Sequence, residues 1–191
     1  MVQLREKDLP GGRLLELAIA LKKAIACDAI LLINERVDVA IAAGADGVQL
    51  GESALPIALV RNLIGPQTLI GCSVHSVEAG EVAASEGADF LLAGTMFSTR
   101  SHPGIEPVGP SLIRTIVQKQ AEAGNPLPVI GIGGITADNL SEVIYAGASG
   151  VAVITSILAS PDPKAEASRL KDAMLDAWRN RSPFVFTSPV T

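Results

Sequence analysis

Short apolar runs alternate along the chain with longer stretches in which apolar residues recur every three to four positions. The runs at 2–5, 29–33, 47–50, 68–72, 89–93, 128–132 and 150–153 predict strands. Between them the helical period predicts helices at 11–26, 36–43, 56–64, 76–86, 110–123, 139–146 and 163–179. Strands and helices in strict alternation build a parallel sheet with helices packed outside it. Three strand starts share one design: Ala43-Gly44-Ala45-Asp46-Gly47-Val48, Glu86-Gly87-Ala88-Asp89-Phe90-Leu91 and Ala146-Gly147-Ala148-Ser149-Gly150-Val151. The first glycine of each suits a left-handed helix C-cap.

Polar chemistry gathers at the other end of the strands. Asn34-Glu35-Arg36, Gly51-Glu52-Ser53, Ser73-Val74-His75-Ser76 and the segment from Gly94 to Gly104 all follow predicted strands, and both histidines fall there. In a barrel of parallel strands, residues after the strands carry function and those before them carry folding. Two further segments, Pro128-Val-Ile-Gly-Ile-Gly-Gly-Ile135 and Gly150-Val-Ala-Val-Ile-Thr-Ser-Ile157, run straight from a strand into small residues with free backbone N–H groups. Gly133 and Gly134 leave the backbone open to a ligand and precede a helix start at Asp138/Asn139, an arrangement suited to phosphate. Close packing alone would also ask for glycine there. On the first strand, a period of two puts Gln3, Arg5 and Lys7 on one face, which calls for an anionic partner.

Composition narrows the setting. At 191 residues and 48% hydrophobic, the chain suits one domain. The expected organisation is a single barrel domain over 1–180 and a tail over 181–191, in which Ser182-Pro183-Phe184-Val185-Phe186-Thr187-Ser188 is strand-like. A net charge of −5 with 3% aromatic residues argues against a nucleic-acid surface. No apolar run is long enough for a membrane span, and the start lacks a signal peptide's apolar core. Cys27 and Cys72 match no metal or redox spacing, which points to a reduced, cytoplasmic setting; a homo-oligomer is a further expectation on which the cysteines do not bear.

Taken in series, Val2-Gln3-Leu4-Arg5-Glu6-Lys7-Asp8-Leu9, Asn34-Glu35-Arg36-Val37-Asp38, Gly44-Ala45-Asp46-Gly47-Val48-Gln49-Leu50-Gly51, Ser73-Val74-His75-Ser76, Phe97-Ser98-Thr99-Arg100-Ser101-His102-Pro103-Gly104 and Gly131-Ile-Gly-Gly-Ile-Thr136 resemble the thiamine phosphate synthase/TenI family. The resemblance covers about residues 1–175 and implies an α/β fold of the TIM (β/α)8 type, here lacking the usual first β/α unit. For the synthase it implies magnesium-assisted coupling of hydroxymethylpyrimidine pyrophosphate to thiazole phosphate, with release of pyrophosphate. Carried over, Gln3 is the pyrimidine contact, with Arg5, Lys7, Asn34 and Ser73 around the pyrophosphate. Thr99, Ser101, Gly133, Gly134, Ile154 and Thr155 would surround the phosphate of the thiazole ligand.

Departures from the synthase pattern point toward the TenI-like branch. Glu35 replaces an aspartate and is the one candidate metal carboxylate, Ala54 stands where a second would be, and His102 replaces a pyrophosphate lysine. That branch includes a thiazole tautomerase, which moves a proton and needs no cofactor. On this preferred reading His102, Arg5 and Ser73 are the catalytic candidates, although a histidine that one TenI form places after the strand 89–93 is Thr95 here. The alternatives are the magnesium-dependent synthase and a non-catalytic protein that binds the phosphorylated thiazole.

Overall fold

A computed structural model describes residues 1–26, 28–99, 104 and 106–181; Ser101, His102 and the tail segment from 182 lie outside the described residues. The chain divides into two compact units, Met1–Ser73 with Val82–Phe90, and Val74–Glu81 with the residues from Leu91 onward.

In the first unit, β1 (Val2–Leu4), β2 (Leu31–Asn34), β3 (Gly47–Leu50) and β4 (Leu69–Val74) pair in chain order, all parallel. Helices α1 (Gly11–Ile25), α2 (Val37–Ala43) and α3 (Ile57–Ile64) connect them. Leu31, Ile33, Val48 and Ile70 are fully buried, as strands covered on both faces require. The shared design at the strand starts is structural. Gly44 caps α2 in the left-handed conformation, with φ +59°. One carboxylate oxygen of Asp46 accepts the Leu31 N–H at 2.8 Å, and Lys22 stands 3.7 Å from the other. Asp89 repeats this arrangement, accepting the Ile70 N–H at 2.7 Å and an Arg61 N–H at 2.6 Å. Arg61 also donates to the carbonyls of Gly65, Thr68 and Gly87, so one guanidinium ties the starts of two strands together.

In the second unit, β6 (Val129–Ile132) pairs in parallel with β5 (Phe90–Gly94) on one side and with β7 (Gly150–Ala152) on the other. Its helices are α5 (Pro110–Glu122), α6 (Leu140–Tyr145), α7 (Thr155–Leu158) and α8 (Pro163–Asn180), while α4 (Val77–Ser85) is divided between the units. Ile113, Ile116, Leu140, Val143 and Ile144 form the core here. Gly131 is needed for it, because a Cβ there would lie 2.4 Å from the Val143 side chain. Asp162 caps α8 by accepting the Ala165 N–H, and Pro163 follows at the first helical position.

The seven predicted strands and seven predicted helices all form. Helix α7 was not predicted, since four residues are too few for a 3.6-residue period to register. Strand β1 stops at Leu4 and Lys7 sits in a bend, so the expected alternation of Gln3, Arg5 and Lys7 along one strand face fails after Gln3. Among the described residues no helix is long and apolar enough to cross a membrane.

Candidate active site

Where β1–β4 end, the first unit carries a row of amides and a hydroxyl. Gln3 Nε2 donates to Asn34 Oδ1 at 3.0 Å, joining β1 to β2. Asn34 is the register partner of Gln49, and Gln49 is the register partner of Gly71. Gln49 Nε2 in turn donates to Ser73 Oγ at 3.1 Å. These pairings fix the polarity offered to a ligand. The Gln3 carbonyl oxygen remains an acceptor, the Asn34 amide nitrogen a donor, and the Ser73 hydroxyl keeps its proton to give.

Arg5 and Lys7 lie just past β1, both exposed, and neither has an ion-pair partner among the described residues. Arg36 differs. Its guanidinium is engaged by Asp38 at 2.6 and 2.9 Å, which holds the Asp38 carboxyl below its ordinary range and raises the Arg36 pKa. Just past β1, Arg5 and Lys7 thus carry no ion pair among the described residues, while Arg36 is committed to Asp38.

Glu35 is one of two described non-glycine residues at positive φ in the first unit, the other being Ala26 after α1; it sits at φ +58° immediately after β2. Its N–H donates to the Gln49 carbonyl, and a Cβ on Gly51 would lie 2.7 Å from its carboxylate oxygen. The missing Cβ at Gly51 therefore makes room for this carboxylate. Among the described residues no cluster of three or more His, Cys, Asp or Glu side chains could hold a metal ion. Ala54 supplies no side-chain oxygen, and Glu52 already has an interaction of its own. Glu35 could contribute one oxygen toward a magnesium ion, while the described residues do not form an all-protein cage for it.

The second unit presents the two turns expected to hold phosphate. Gly133 and Gly134 follow β6 at φ +103° and +65°. Their carbonyls accept from the Phe97 N–H and from Asn139 Nδ2, while Asn139 Oδ1 takes the Thr136 N–H at 2.8 Å. The N–H groups of Gly133 and Gly134 donate to no acceptor among the described residues. The same holds for Thr155 and Ser156 at the start of α7. Ser156 Oγ donates to the Ile135 carbonyl and so fastens one turn to the other. Four N–H groups without an acceptor among the described residues thus lie on two joined turns, a set of donors that could serve an anion.

The reason for the glycines differs from the expectation. A Cβ on Gly134 would lie 2.5 Å from the Ser98 carbonyl oxygen and 2.7 Å from that of Phe97, and one on Gly133 would lie 2.5 Å from Thr95 Cγ2. The space is filled by the segment after β5, so glycine is demanded there by packing and by positive φ; the N–H groups do the offering. That segment is docked by Met96 N–H to the Ile132 carbonyl and by Val108 N–H to the Thr95 carbonyl. Thr95 is buried, Thr99 half-buried and Ile154 exposed. His75 lies exposed past β4 and takes part in an interaction.

Sequence reasoning missed Gln49, Asn139 as a lock on the loop, and Ser156 as the link between turns. For Gln49 a signal existed, as it is the polar residue in the otherwise apolar strand Gly47-Val48-Gln49-Leu50, and a polar group buried there asks for a reason.

A family model described as "Thiamine monophosphate synthase" matches residues 1–157. A thiamine-phosphate synthase of Methanoculleus marisnigri is 43% identical over 178 residues, covering 93% of this chain and 82% of the relative. One of Desulfitobacterium hafniense is 42% identical over 182 residues, covering 94% and 84%. A solved structure of thiamine phosphate pyrophosphorylase from Pyrococcus furiosus superposes with a TM-score of 0.81 at 35% identity, covering 92% of this chain and 82% of that one. The fold is accordingly the α/β type of a TIM barrel that lacks the usual first β/α unit.

Proposed function

The chain belongs to the thiamine monophosphate synthase family, and from that premise we propose that it is a transferase joining hydroxymethylpyrimidine pyrophosphate to thiazole phosphate. The observation that carries this reading is the first unit's row of oriented groups, Gln3, Asn34 and Ser73, together with Arg5 and Lys7, which follow the end of β1 without an ion-pair partner among the described residues. A thiazole tautomerase, whose substrate carries a single phosphate, has no use for a second cationic site. Relatives named thiamine-phosphate synthase also support the transferase over the tautomerase favoured from Ala54 and His102. The missing second carboxylate does not weigh heavily, because a pyrophosphate brings its own hard oxygens to magnesium.

On this reading Gln3 orients the pyrimidine, and Arg5, Lys7, Asn34 and Ser73 hold the pyrophosphate. The bond from the exocyclic methylene carbon to the pyrophosphate oxygen breaks, and its electron pair leaves with the pyrophosphate. The resulting cation is delocalised into the aminopyrimidine ring. Arg5 and Lys7 offset the charge growing on the leaving oxygens, where fixed cations act more strongly than water. Magnesium, bound with Glu35 and the pyrophosphate, would add positive charge to the same oxygens. The thiazole nitrogen then donates its lone pair to the methylene carbon, giving thiamine phosphate. The N–H groups of Gly133, Gly134, Thr155 and Ser156, with Thr99 and Ile154, hold the thiazole ligand by its phosphate. Ser101, in the same sequence motif as Thr99, belongs to this phosphate site by resemblance, whereas His102 stands where the synthase pattern has a pyrophosphate lysine.

Incubation of the purified protein with both substrates and magnesium tests this directly. Thiamine phosphate and pyrophosphate are expected in equal amounts, with magnesium alone binding weakly in a calorimetric titration. Magnesium-independent interconversion of thiazole tautomers, with no pyrophosphate released, would replace the transferase reading by the tautomerase one. Tight thiazole phosphate binding without either reaction would select the non-catalytic alternative.

A further inference from the structure

We infer that Gln49 is a positioning residue that fixes the Ser73 hydroxyl as a proton donor toward the leaving pyrophosphate; the inference rests on the transferase reading. Gln49 is 2% exposed, too deep to meet the substrate through water. Its Nε2 donates to Ser73 Oγ at 3.1 Å and to the Leu50 carbonyl at 3.4 Å. A hydroxyl has one proton and two lone pairs, so an oxygen that accepts from Gln49 directs its own proton elsewhere. Among the described residues Ser73 Oγ donates to no protein acceptor, and the residue is only half-buried. The proton is therefore available on the open side.

The amide is held in this orientation. A Cβ on Gly71, the register partner of Gln49 on β4, would lie 2.3 Å from Gln49 Oε1 and 2.2 Å from Phe90 Cζ. Only glycine leaves room for the amide between the strand and the Phe90 ring. A buried polar group of this kind is costly unless it is bonded, and an apolar side chain would serve the core better. Its placement is explained by the hydroxyl it orients. A donor oriented before substrate arrives contributes most where charge grows during bond breaking, so the effect falls on kcat more than on KM.

A double-mutant cycle with Ser73→Ala separates positioning from packing. Gln49→Leu keeps the volume and removes the donor. Its kcat is expected to fall about tenfold, one charge-assisted hydrogen bond in scale, with KM within about twofold and little change in Tm. In the Ser73→Ala background the same substitution should cost nothing further. Gln49→Glu has the same shape but offers an acceptor, drawing the Ser73 proton inward; it should lose more than Gln49→Leu, and that loss should also vanish without Ser73. Equal losses in both backgrounds, or none in either, would overturn the role. If the wild-type protein forms no thiamine phosphate, it is the transferase reading that fails, and the same cycle read as pyrophosphate affinity still decides the orientation of Ser73.

Discussion

The two ends of the strands in the first unit handle polar groups in opposite ways. At the strand starts, Asp46, Asp89 and Arg61 are satisfied by other parts of the chain: each carboxylate accepts a strand N–H and stands beside a cation, and Arg61 closes three carbonyls as well. At the strand ends, Gln3, Asn34 and Ser73 are paired only in part, and Arg5 and Lys7 not at all among the described residues. A polar side chain whose bonding capacity is filled by the protein serves the fold. One with a fixed direction and capacity left over serves a ligand, because leaving such capacity idle gains the fold nothing.

The largest effect expected from this contrast is at Arg5. Arg5→Ala should lower kcat/KM by about a hundredfold or more, the scale of one lost transition-state charge contact. Stability should shift by no more than about 0.5 kcal/mol, because the side chain is exposed and has no ion-pair partner among the described residues. Steady-state kinetics and a thermal melt on one preparation read both quantities. A large fall in Tm with retained kinetics would place Arg5 with the structural residues and dissolve the contrast.

Asp89 should behave in the reverse manner. Asp89→Ala leaves the Ile70 N–H and the Arg61 guanidinium without their partner, at a cost of about 2–3 kcal/mol. That corresponds to a fall in Tm of about 5–10 °C for a chain of this size. Kinetic constants per folded molecule should stay within about twofold of wild type. A loss of kcat in excess of the loss of folded protein would show that the strand starts also reach the chemistry.

How far this contrast could be read in advance follows from what each signal depends on. Leu31-Leu32-Ile33 and Leu91-Leu92-Ala93 read as strands because burial on both faces leaves a continuous apolar run, a local property. Gly44 and Gly147 were legible because positive φ after a helix demands glycine locally too. Gln49 was not, because its meaning lies in its register with Asn34 and Gly71 and its bond to Ser73, 24 positions away. Gly133 and Gly134 were found for a different reason from the one that fixes them. The space a Cβ would need is taken by Thr95, Phe97 and Ser98, 36 to 38 residues earlier in the chain. Arg5 and Lys7 were legible as unpaired cations, but their expected geometry was wrong because β1 ends at Leu4.

The smallest effect concerns Cys72, which tests how sharply the two kinds of environment meet. Cys72 and Ser73 are consecutive on β4, so their side chains point to opposite faces. Cys72 is 8% exposed, and burial, helped by the negative charges of Glu52 and Glu86, pushes its thiol up to about 11 from an ordinary 9.0. A thiol with a raised pKa holds its proton more tightly in the folded state than in the unfolded one. Its contribution to stability is therefore complete below about pH 9 and declines as pH rises toward 11. At pH 8 a thiol reagent should modify Cys72 far more slowly in the native protein than in the denatured one, because both thiolate and access are lacking. In a Cys72→Ala variant the fall in stability between pH 9 and 11 should be shallower than in wild type, as read from urea midpoints. Rapid native-state labelling at pH 8 would mean that the open face at Ser73 extends to its neighbour, and that the row on β1–β4 is one side of a wider solvent-filled opening.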